Sequence, residues 1–79
     1  MTMAASLRAV GAWARLRVQL RQQREVTESS QAAVADFVGV SRETIQRWEA
    51  GRQTPNAAEL HQWCAAVGLR LDAVEAGAE

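Results

Sequence analysis

The sequence has a single cysteine, a single histidine, a single proline and no lysine. One cysteine, Cys64, excludes an intramolecular disulfide, and with His61 as the only histidine it cannot close a structural zinc site. No metal or other cofactor is therefore expected. No apolar run approaches the ~18–20 residues of a membrane span. The opening stretch, MTMAASLRAVGAWARLR, has no basic residue ahead of its short apolar part and carries arginines inside it, so it does not read as a secretory signal. The expected location is the cytoplasm. At 79 residues the chain is one domain that can bury only roughly 60% of its unfolded surface. That leaves little room for a large active-site cleft, and no enzymatic activity is expected. Cys64 and His61 could in principle form a nucleophile and its base. Their i, i+3 spacing equally fits a plain helix with the thiol inward and the imidazole at the surface, the usual fate of a free cysteine.

What is present is 48% hydrophobic and 23% charged, the balance of an ordinary globular protein. The net charge of zero hides a gradient. Residues 1–52 hold eight arginines against five acids, whereas residues 53–79 hold one arginine against four acids, so one side is +3 and the other −3. Every cation is arginine, whose planar fork suits phosphates and guanine edges alike.

The spacing predicts a first helix over 4–24, with Leu7, Val10, Trp13 or Ala14, Leu16 and Leu20 as its apolar positions. Gly11 is a candidate break within it, separating a short arm from the helix proper. Arg15, Arg17, Arg21 and Arg24 read as a solvated basic face. Residues 25–30, EVTESS, read as a loop. Ser30 then caps a helix over 31–38 with Val34, Ala35 and Val38 inward. Gly39 turns the corner, because glycine enters the left-handed region without steric cost. Ser41 caps a helix over 42–50. On its wheel, Ile45 and Trp48 share one face, while Arg42, Glu43, Gln46 and Arg47 cluster opposite. Two helices joined by so short a turn form the helix-turn-helix unit, whose second helix can enter the DNA major groove. Beyond Gly51 and Pro55, Asn56 with Glu59 forms a capping-box pair. A fourth helix to residue 66 carries Leu60, Trp63, Cys64 and Val67 as a core stripe, closed by Gly68. Leu69, Leu71 and Val74 form either a fifth helix or a contact surface for a second copy.

These residues resemble the phage repressor and Cro-like, or XRE-type, helix-turn-helix family. The family's opening appears as Ser30-Gln31-Ala32-Ala33-Val34-Ala35 and its turn as Gly39-Val40-Ser41-Arg42-Glu43-Thr44-Ile45. Trp48, Glu49, Gly51 and Pro55 follow, then the fourth-helix series Leu60, Trp63, Cys64, Val67, Gly68 and Leu69. The match runs over 16–72. The resemblance implies an all-α bundle of about five short helices, lambda-repressor-like in architecture. On this division residues 1–12 are an N-terminal extension, 13–75 the DNA-binding domain with its helix-turn-helix unit at 31–50, and 76–79 a frayed end.

By the same resemblance Gln31, Arg42, Glu43, Gln46 and Arg47 face DNA bases, and Ser41, Thr44 and Arg52 face phosphates. A structural ion pair would join Arg21 to Glu49. Three departures stand out: a loop between the first two helices about three residues longer than usual, which leaves Arg24 open as Glu49's partner; Ala50 at an often polar position; and the extension 1–12. The implied function is a sequence-specific regulator of transcription, most simply a repressor. One domain of this size makes few contacts, so a homodimer on an inverted repeat is expected. An antitoxin or other protein-interaction module on the same fold is the alternative, with a toxin or another regulator as partner.

Overall fold

The computed structural model describes residues 3–77, and its longest element is α1 (Met3–Val26). The break considered at Gly11 does not occur. A glycine inside a helix costs about 1 kcal/mol relative to alanine, and the alanines, leucines, arginines and glutamines around it outweigh that. The helix also runs two residues past the expected end, which shortens the expected loop over 25–30. It stops where Glu28 takes a left-handed backbone, φ 57. There the Ser29 amide reaches the Arg24 carbonyl and the Glu28 amide the Glu25 carbonyl. This is the Schellman ending, built on a glutamate in place of the usual glycine.

Three shorter helices follow, α2 (Gln31–Val38), α3 (Arg42–Ala50) and α4 (Ala57–Ala66). Each begins on a side-chain cap: Ser30 accepts from the Ala33 amide, Ser41 from the Thr44 amide and Asn56 from the Glu59 amide. Glu59 returns the bond to the Asn56 amide, completing the capping box. Gly39 and Gly51 end α2 and α3 at φ 87 and 75, a region that costs a side-chain-bearing residue roughly 1–2 kcal/mol.

The expected fifth helix is absent; the described residues hold four helices. After Gly68, Leu69 and Leu71 pack half-buried on the core, while Arg70 pairs with Asp72 on the solvent side at 2.7 Å. That alternation has a period of two, the signature of extended chain. Val74 is 86% exposed. Of the end expected to fray, residues 78–79 lie outside the described residues, as do residues 1–2 of the extension.

The core consists of Leu20 from α1, Val34, Ala35 and Val38 from α2, Ile45 and Trp48 from α3, Trp63 and Cys64 from α4, and Val67. Trp63 is its hub. Its ring lies 5.4 Å from that of Trp48 and meets Trp13 edge-on at 6.4 Å, separations at which aromatic pairs attract beyond simple burial. α3 packs against both α1 and α2.

Candidate nucleic-acid interface

The caps at Ser30 and Ser41 and the left-handed Gly39 fix how α2 and α3 cross. Ile45, Trp48 and Glu49 are the buried residues of α3. Burial of those three leaves Arg42, Glu43, Gln46 and Arg47 outward and exposed, so the expected division of the helix into two faces holds. Ser41 and Thr44 bond each other through their hydroxyls at 2.9 Å at the N-terminus of α3. Arg52 is exposed just past its C-terminus. A shallow hollow of about 210 Å³ runs between Glu43, Gln46, Arg47, Ala50 and Arg52. On the other side of Gln46 a wider cleft of about 460 Å³ opens toward Arg21, Gln31 and Glu49.

Behind this surface lies a carboxylate. Glu49 is the one charged residue buried among the described residues, at 8% exposure. Its partner is Arg24, not Arg21. Arg24 Nε donates to Oε2 at 2.6 Å and Nη2 to Oε1 at 3.1 Å, while Nη1 holds the Ser29 carbonyl of the α1–α2 turn. The reason is helix phase. Arg24 lies one turn beyond the buried Leu20 on the face that meets α3, and Arg21 lies about 100° away. Arg21 instead makes an exposed i, i+4 pair with Glu25 at 3.4 Å. The bond to Glu49 holds the Arg24 guanidinium above its ordinary pKa, with burial pulling the other way, so Arg24 stays charged.

Arg17 is also no part of a solvated face. It is half-buried, and its Nη1 donates to the Glu49 backbone carbonyl at 3.3 Å. A cation at that end of α3 complements the helix dipole. Its guanidinium lies so close to Gly51 that a Cβ there would come within 2.7 Å of Cζ. Gly51 is thus required for its backbone angle, and a side chain there would also push the Arg17 guanidinium aside. The sequence signal for both arginines is their phase relative to Leu20: residues 17, 20 and 24 fall on one face.

Gln31 does not stand free. Its Nε2 donates to Glu49 Oε1 at 3.0 Å, and its Oε1 accepts from Arg42 Nη1 at 3.4 Å. The fold therefore joins Arg24, Glu49, Gln31 and Arg42 into one chain of polar contacts from α1 through α2 to the outer face of α3. Cys64 and His61 are not brought together as a pair: the thiol faces the core and the imidazole is exposed. Burial pushes the thiol pKa up, which disfavours the reactive thiolate.

Two capped helices about a left-handed glycine, with the second presenting a polar outer face, define a helix-turn-helix domain. The profile of the helix-turn-helix domain family matches residues 15–77, most of the chain, and the protein belongs to that family, whose members bind DNA. No curated protein and no solved structure matches the chain. Among the described residues no helix is long and apolar enough to cross a membrane.

Proposed function

We propose that this protein is a sequence-specific double-stranded DNA-binding regulator of transcription, of phage repressor or Cro-like type, acting as a repressor in the cytoplasm and without enzymatic activity. The observation that carries this reading is the outer face of α3, where Arg42, Glu43, Gln46 and Arg47 are exposed together while the helix is pinned at both ends. Arg42 and Arg47 each offer the fork that bonds guanine O6 and N7, Gln46 suits adenine, and Glu43 accepts from cytosine N4. Gln31 reaches the same edge of the groove. Ser41, Thr44 and Arg52, with the helix N-termini, meet phosphates.

A second copy supplies the other half-site. The surface we assign to it is the outward side of α1, where Leu7, Val10, Ala14 and Val18 fall at i, i+3, i+7 and i+11. Leu7 and Val10 are each 65% exposed and Val18 40%. Of the other candidates, Leu69 and Leu71 already lie against the chain's own core, which leaves only Val74 of the three exposed.

Selection of bound sequences from a random DNA pool by the purified protein tests the reading. The expected product is an inverted repeat with half-site centres about 34 Å apart, bound with an affinity that falls steeply as salt rises. Recovery of unselected sequence would defeat it.

A further inference from the structure

Gln31 sits between two groups of opposite hydrogen-bonding character. On one side is the Glu49 carboxylate, which accepts only; on the other is the Arg42 guanidinium, which donates only. An amide placed between them has a single orientation, its NH2 toward Glu49 and its carbonyl toward Arg42, and the observed bonds at 3.0 and 3.4 Å have that sense. Glu49 is in turn fixed by Arg24, so each donor along the line meets an acceptor, from the buried pair to the exposed arginine.

We propose that Glu49, buried and out of reach of DNA, is a positioning residue for base recognition: through the Gln31 amide it holds the Arg42 guanidinium in one place on the outer face of α3. The proposal rests on the reading of Arg42 as a base contact and deepens it. It also changes the part assigned to Gln31, which becomes the coupling between scaffold and reader and not an independent reader. An arginine on an exposed helix turn has several rotamers open to it, and ordering it on binding has an entropic cost. A carbonyl already in place restricts those rotamers before DNA arrives. The buried pair also prevents the amide from flipping, because a reversed amide would set its carbonyl against the carboxylate and its NH2 against a cation.

The test is the base preference of variants, measured by selection from a random pool for the parent protein, Arg42→Ala, Gln31→Met and Gln31→Met/Arg42→Ala. Methionine keeps the length of glutamine and removes the amide dipole. Arg42→Ala should relax one base position of the half-site by about 5- to 150-fold. Gln31→Met should relax that same position by about 3- to 10-fold, leave the others unchanged, and add nothing in the Arg42→Ala background. Relaxation at a different position would make Gln31 a reader in its own right and overturn the proposal, as would no relaxation at all. If Arg42→Ala itself changes no preference, the fault lies with the assignment of Arg42 as a reader. Glu49→Gln, assayed well below its melting temperature, should relax the Arg42 position too; a lowered melting temperature with an unchanged preference would reduce Glu49 to scaffold. Should that variant not fold, Glu49→Asp, whose carboxylate is one carbon further from the Gln31 amide, takes its place with the same two outcomes.

Discussion

The two halves of α1 are built from the same residue types and behave differently. From Trp13 to Val26 the helix lies on α3, where Leu20 is fully buried and Arg17 and Arg24 close onto the end of the neighbouring helix. In the first half, residues 6–10 are all exposed, including Leu7 and Val10. The difference is not in composition but in what stands opposite. A leucine becomes core and an arginine becomes a clamp only where α3 is within reach. The lesson is that the function of a charged or apolar position on this helix follows from its phase and its height along the axis together.

Substitutions can press on that contrast. Leu20→Ala should cost about 2–5 kcal/mol of stability, whereas Leu7→Ala, at concentrations low enough for the chain to be monomeric, should stay within about 0.5 kcal/mol. Denaturant unfolding of the two side by side measures this, and equal losses would erase the distinction between the halves. The arginines give the next pair. Arg24→Ala should cost about 2–4 kcal/mol, because it strands a buried carboxylate, while Arg21→Ala should cost about 0.2–1 kcal/mol, the usual worth of an exposed pair. Gly51→Ala should cost about 1–2 kcal/mol for the left-handed backbone alone, with the clash against Arg17 added. A melting temperature like that of the parent would refute the backbone cost as well as the contact with Arg17. The smallest effect is a gain. Glu28→Gly relieves the strained end of α1 and should raise stability by about 0.5–1 kcal/mol, visible as a few degrees in a thermal melt.

How much of this was legible depended on how local the signal is. The limits of α2 and α3 could be read residue by residue, since Ser30, Gly39, Ser41 and Gly51 are punctuation acting on their immediate neighbours. The end of α1 could not, because the residue that takes the left-handed turn is a glutamate, which nothing in a sequence marks for that role. Phase alone separates Arg24 from Arg21 as the partner of Glu49, since both lie within the expected helix. A fifth helix, one of two readings of Leu69, Leu71 and Val74, does not form, because Leu69 and Leu71 alternate with Arg70 and Asp72 as extended chain does. On the outer face of α3 the wheel sufficed to place Arg42, Glu43, Gln46 and Arg47. The double engagement of Gln31 was out of reach for it, because the partner that fixes the amide lies eighteen positions away in sequence and meets it only through the packing of α2 on α3.

The indole cluster has a consequence for anyone watching this protein in solution. Trp13, Trp48 and Trp63 are its three tryptophans, and it has no tyrosine. They come from α1, α3 and α4, with neighbouring rings 6.4 and 5.4 Å apart. Near-ultraviolet absorption, circular dichroism and emission therefore issue mainly from one coupled chromophore at the junction of those helices. Such a signal reports whether the helices are docked around the shared core, to which α2 contributes Val34, Ala35 and Val38, and is far less sensitive to the outer face of α3. A spectral change on adding an operator would mean that the scaffold itself had shifted; a silent titration with a clear gel shift would mean that the domain binds as a rigid body.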